Sequence, residues 1–252
     1  MSPEGPRAGG VRATLRGLST VLIVAGALLL ADAVTTLVWQ EPVSAFLAQR
    51  DQSRLADELE SLEEVAPSGL QQRALAVLKD PDQRVAFLAR ALRRKADEGQ
   101  PIGRIRIPRI DASFVVVDGT GTEDLKKGPG LYPETSYPGI PGTTAIAGHR
   151  TTYGAPFRQI DELERDDEIV VDMPYARFTY AVEKQRIVEP TATEVIRDVG
   201  YDRLVLSACH PLYSAAQRII VFARLVKTEP QGAAAADKTL VEKPPGLSTE
   251  SR

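Results

Sequence analysis

From Pro101 to about Val226 the chain is a series of short alternating segments broken by glycine and proline. Alternation runs through Ile102, Arg104, Ile105, Arg106 and Ile107, then through Phe114–Val117, Thr144–Ala147, Glu168–Val171 and Phe178–Val182. Two more apolar segments, Leu204–Leu206 and Ile219–Phe222, flank a turn set by Pro211, which no strand can run through. Between them lie Gly128-Pro129-Gly130, Tyr137-Pro138-Gly139 and Pro141-Gly142. Many short strands joined by such turns predict a mainly β sandwich or barrel, and closure into a barrel would remove aggregation-prone edges. Short helical turns are expected near Glu123-Asp124-Leu125 and over Pro156–Leu163.

The flanking segments have other textures. Residues 1–17 form a Pro/Gly-containing leader with Arg7, Arg12 and Arg16. Residues 18–39 are almost wholly apolar, close to the roughly 20 residues a membrane span needs. The arginines before this run and Glu41 after it predict a cytoplasmic N-terminus, with Trp39 as an interfacial aromatic. Asp32 inside the run costs on the order of a few kcal/mol. Two rivals to an uncleaved anchor stand: a signal peptide cut near Ala31-Asp32-Ala33, and a buried core helix. Both leading readings put the rest of the chain outside the cytoplasm.

Residues 40–100 are rich in helix formers, with Leu55, Leu59 and Leu62, then Leu88 and Leu92, at helical spacing. Pro67-Ser68-Gly69 and Asp80-Pro81 divide the region, and Asp80 or Asp82 would cap a helix running to about Asp97. The expectation is a helical extracytoplasmic stalk ahead of a β-domain at 101–227. Residues 228–252 carry almost no apolar surface and read as a disordered tail.

At 252 residues and net charge −3, the chain lacks the basic excess of a nucleic-acid binder. Its two histidines and one cysteine have no zinc-ligand spacing, so no metal site is assigned, although carboxylates could still hold a hard cation. A single cysteine forms no intrachain disulfide.

That cysteine, Cys209, ends an apolar strand, and His149 ends another, with Gly148 allowing a sharp change of direction. Arg218 interrupts the apolar strand that returns from Cys209, and a charge there is costly to bury unless it is used. A lone cysteine is often only a small buried hydrophobe, and a lone histidine is often structural. Together the three residues can do acyl transfer. A Cys209 thiolate attacks a carbonyl, and His149 supplies positive charge or protonates the leaving amine. Arg218, which is no base, stabilises oxyanion charge or clamps the substrate.

The stretches TTAIAGHRTTYGAPF, LSACHP and QRIIVFA resemble the sortase family of membrane-anchored cysteine transpeptidases, over roughly residues 102–226. The Cys-His-Pro run and the GHRTTYG box are most similar to class E sortases of high-GC Gram-positive bacteria. The resemblance implies a closed β-barrel of about eight strands. His149 would follow the fourth strand, Cys209 would end the seventh and Arg218 would lie on the eighth. It also implies cleavage of an LPxTG- or LAxTG-type sorting signal between Thr and Gly through a thioacyl-enzyme, without a cofactor. The expected partners are secreted proteins bearing that C-terminal signal, an acceptor amine of the cell wall or of a pilin lysine, and the plasma membrane through residues 18–39.

Some positions depart from the family pattern. Many members carry a hydroxyl just before the nucleophile, where this chain has Ala208, and Asn where it has Thr143. Ser207, Ala208, Tyr153 and Tyr213 are the expected substrate contacts, with plain packing an equal reading for Tyr153 and Tyr213. His210 reads as part of the Cys-His-Pro turn. Two alternatives stay open: a cysteine hydrolase of the cell envelope, and a non-catalytic extracytoplasmic β-domain.

Overall fold

The computed structural model describes residues 8–38, 42–64 and 66–235. Trp39 and the last 17 residues of the expected tail, 236–252, lie outside the described residues. Eight strands close a barrel: β1 Pro101–Ile107, β2 Ala112–Asp118, β3 Gly130–Leu131, β4 Thr143–Ala147, β5 Glu168–Met173, β6 Ala176–Val188, β7 Arg203–His210 and β8 Gln217–Pro230. Their order around the barrel is β1-β2-β3-β4-β7-β8-β6-β5. The β2–β3 and β4–β7 pairs are parallel and the other pairs antiparallel. The β4–β7 pair fixes the site, because Gly148 N–H then continues the ladder onto the Ser207 carbonyl at 3.0 Å.

Along β7, Leu204, Leu206 and Ala208 point into the barrel, and Ile219, Val221 and Ala223 meet them from β8. The intervening residues face outward, where Val205, Ile220, Phe222 and Ala145 form a second buried cluster with Val195. Both faces of this sheet region are therefore covered, which explains its nearly continuous apolar sequence.

Among the described residues five α-helices accompany the barrel: α1 Ala8–Val38, α2 Pro42–Glu64, α3 Gly69–Val77, α4 Pro81–Lys95 and α5 Thr122–Lys127. Helix α3 starts at a capping box between Ser68 and Gln71, and α4 at Asp80, whose side chain accepts from Asp82 N–H. The first of the two expected short turns is α5, and the second contains the 3-10 turn Ile160–Glu162. Within α1, Leu15–Thr35 has a mean hydropathy of 2.1 and is long and apolar enough to cross a membrane.

The helices at 42–95 do not form a stalk standing clear of the barrel. Leu55 and Leu59 of α2 pack on Val115 and Val117 of β2. The Gln52 side chain accepts from Val115 N–H at 2.7 Å and donates to the Val115 and Lys127 carbonyls. It thus completes the open edge of β2 where β3 is too short to reach. Val85 and Ala89 of α4 enter the main core. The leucine spacing announced an apolar stripe, and the stripe's partner is the barrel wall.

The tail boundary moves as well. Strand β8 runs to Pro230, and Ala234 is fully buried. Arg84 of α4 donates to the Ala233 and Ala235 carbonyls, fixing this segment although its composition is poor in apolar residues.

Candidate active site

Cys209 and Arg218 are register partners across β7 and β8, so both project from the outer face of the sheet. Cys209 is half-exposed rather than sealed in the core. It lines a concavity of about 300 Å³ with Arg150, Thr151, Pro211, Tyr213, Ser214 and Ala215. A larger concavity of about 570 Å³ lies between α4 and Phe178, but no cysteine, serine or histidine lines it.

Arg218 is half-buried, and its Nη1 donates to the carbonyls of Ala215 and Gln217 at 2.9 Å each. These bonds hold the guanidinium at the β7–β8 turn and satisfy the charge locally. A guanidinium has five N–H donors, so the group retains capacity for a substrate oxygen.

His149 follows β4 by one glycine. A Cβ at Gly148 would lie 2.5 Å from the Phe157 ring, so only glycine lets the chain bend past that ring. The His149 carbonyl accepts from Phe157 N–H at 3.0 Å, which closes the loop. Its ring lies 5.2 Å from that of Tyr153, and burial lowers its pKa from the ordinary 6.5. Among the described residues no carboxylate or amide bonds to the ring.

The expected substrate contacts divide. Ser207 shares the outward face with Cys209, opposite Ile220. Ala208 does not: it is 3% exposed and packs in the barrel interior with Leu206 and Ile219. Strand alternation forces this, because neighbours on a strand point to opposite faces. Tyr153 stands beside His149, and Tyr213 lines the concavity with its hydroxyl 3.2 Å from Arg158.

Two arginines missing from the sequence-based set organise the surroundings. Arg150, only 2% exposed, pairs with Asp161 at 2.5 Å and donates twice to the Arg158 carbonyl. Its Nη1 lies 3.4 Å from His210 Nδ1, which must be the acceptor because a guanidinium only donates. His210 thereby belongs to a structural network. Arg203 donates to the Val195 and Arg197 carbonyls at 2.9 and 2.8 Å, and Thr143 Oγ1 also donates to Arg197. These bonds hold the Thr193–Ile196 turn as a wall over the outer face. The adjacency of Arg150 to His149 was the only signal for the first arginine. A charge opening an apolar strand was the signal for the second.

A closed barrel displaying a half-exposed cysteine opposite an arginine, beside a strand-end histidine, defines a cysteine acyl-transfer scaffold. The Sortase domain family model matches residues 105–226. Sortase D of Bacillus subtilis is 35% identical over 136 residues, covering 52% of this chain and 67% of that protein. Sortase SrtE1 of Streptomyces coelicolor is 30% identical over 151 residues, covering 54% of this chain but only 43% of that one. The crystal structure of Sortase E1 from Streptomyces coelicolor superposes with a TM-score of 0.51 at 29% identity, covering 52% of this chain and 91% of that one. The chain belongs to the sortase family of cysteine transpeptidases, with class E sortases among its relatives.

Proposed function

We propose that the protein cleaves an LPxTG- or LAxTG-type sorting signal between Thr and Gly and joins the released protein to a cell-wall or pilin amine. The observation that carries this reading is the register pairing of Cys209 with Arg218 on the outer face of the barrel. Cys209 Sγ attacks the Thr carbonyl carbon, and Arg218 stabilises the oxygen that becomes an oxyanion. His149 takes the Cys209 thiol proton as Sγ attacks and gives it to the departing Gly amine as the C–N bond breaks, leaving a thioester on Cys209. An acceptor amine then attacks the thioester. His149 takes the amine's proton as the amide forms and the C–S bond breaks, and that proton returns to the released Cys209 thiolate. The Sortase E1 structure in the superposition carries a tripeptide in its active site, which supports peptide binding at the corresponding face here.

The apolar helix Leu15–Thr35 would anchor the chain in the plasma membrane. Arg7, Arg12 and Arg16 favour a cytoplasmic N-terminus and an extracytoplasmic barrel. Likeness to class E members favours the LAxTG form of the signal.

The test mixes the full chain with LAxTG and LPxTG peptides and triglycine, and reads peptide and protein by mass spectrometry. Ligated peptide with a transient acyl adduct on Cys209 is expected, and Cys209→Ala abolishes both. Free acid as the sole product would instead make the protein a cysteine hydrolase. Full activity in Cys209→Ala would end the proposal.

A further inference from the structure

The second long helix links the apolar span to the catalytic end of the barrel. Only three residues separate the end of α1 at Val38 from the start of α2 at Pro42. Two residues into α2, Ser44 Oγ accepts from Tyr153 N–H at 3.4 Å, in the loop that carries His149. One turn later Ala48 is buried, and its Cβ would touch a side chain at Gly154 at 3.6 Å. The helix then runs along β2 through Gln52, Leu55 and Leu59. Its docking is therefore polarised, with its membrane-proximal end at the active-site loop.

Chain geometry converts this into a distance. Helical and extended rises place Ser44 no more than about 20 Å from Thr35, the last residue of the apolar window. Strand β7 begins at Arg203, six residues before Cys209, so its start lies roughly 20 Å beyond Cys209. The Cys209 end is thus tethered close to a bilayer holding Leu15–Thr35, and the start of β7 carries no such tether.

The face of α2 turned away from the barrel fits the same arrangement. Phe46 is 67% exposed and Leu47 49% exposed, within the first two turns after the span. At the same barrel end Leu212 and Tyr213 are exposed. Large apolar side chains at that depth fit the headgroup–acyl boundary, where interfacial helices bury an apolar face by about 5–10 Å.

We infer that the first turns of α2 lie in the membrane interface through Phe46 and Leu47 and hold the Cys209 end of the barrel against the lipid surface. The inference rests on the reading of Leu15–Thr35 as a membrane anchor.

The test uses the full chain with Cys209→Ala, reconstituted in phosphatidylcholine–phosphatidylglycerol vesicles containing headgroup spin-labelled lipid. A nitrobenzoxadiazole label is placed at Phe46→Cys, Leu212→Cys or Val199→Cys, the last beyond the start of β7 at the opposite end. Quenching at 46 and 212 should exceed that at 199 by about threefold or more, given the shallow depth of interfacial burial. Adding Phe46→Ser and Leu47→Ser, both at exposed positions, should lower quenching at 212 with unchanged circular dichroism. Equal quenching at 212 and 199 in protein that floats with vesicles overturns the inference and leaves the anchor standing. Protein that fails to float overturns both.

Discussion

Cys209 and Arg218 stand directly opposite each other in the β7–β8 ladder, and the Arg218 guanidinium is tied to the Ala215 and Gln217 carbonyls of the turn between them. The hairpin thus presents nucleophile and cation as one unit, with the cation's position set by backbone.

A lysine at this position keeps the charge but not the planar fork. Its compact ammonium has three donors but no planar fork to span both turn carbonyls and a substrate oxygen at once. Arg218→Lys should cut kcat/KM for peptide transfer by about 10²–10³-fold, the usual effect of removing an oxyanion donor. Unfolding stability should change by about 1 kcal/mol or less, since the hydrogen bonds to the turn are half-exposed and water can replace them. Wild-type transfer in Arg218→Lys would reduce the residue to a turn staple.

His149 gives a pH dependence of stability. Burial lowers its pKa below the ordinary 6.5. Between the lowered folded value and 6.5 the unfolded chain binds more protons, so stability rises with pH there. The contribution is fully present above 6.5 and is lost as pH falls to the folded value. Thermal melts at pH 7.5 and pH 5 should therefore show a smaller acid-induced drop in His149→Gln than in the wild type. Equal drops would mean the ring is effectively solvated.

The sequence exposes some of this and hides the rest for physical reasons. Cys209, His149 and Arg218 are legible because each breaks an apolar strand or closes one. The inward orientation of Ala208 is hard to read because β7 is covered on both faces, so Leu204 to Leu206 show no polar alternation to separate inside from outside. The partner of Leu55 and Leu59 is equally hidden. Helical spacing reveals an apolar stripe, but its packing on Val115 and Val117 is made by chain folding across more than fifty residues. Strand β3 is two residues long, too short for any period to register.

The docking of α2 has its own consequence. The Gln52 amide occupies both hydrogen-bonding groups of Val115, standing in for a neighbouring strand. Gln52→Leu should lower unfolding stability by about 1–3 kcal/mol, the cost of an unsatisfied buried polar group. A protein beginning at Gln100 also loses the Leu55, Leu59, Val85 and Ala89 cover. It should unfold at lower urea concentration than the full chain and bind more of an apolar dye. Identical urea midpoints would restore the free-standing stalk.

Arg150 couples the two halves of the site from behind. It directly follows His149, and its Nη1 meets His210, which directly follows Cys209. The guanidinium is 2% exposed while its counter-charge Asp161 is 46% exposed, so the acid can be neutralised without opening the core. Asp161→Asn preserves the shape but leaves a buried cation with neutral acceptors only. The expected loss is about 1–3 kcal/mol, below the range for a fully buried pair because water reaches the position. A looser Arg150 lets the His149 loop move relative to Cys209, so kcat should fall more than KM rises. Alkylation of Cys209 by a small reagent should stay within about twofold, because thiol access is unaltered and loop motions are fast. An Asp161→Asn protein with unchanged melting temperature and unchanged kcat would show that the Arg158 carbonyl alone holds Arg150 in place.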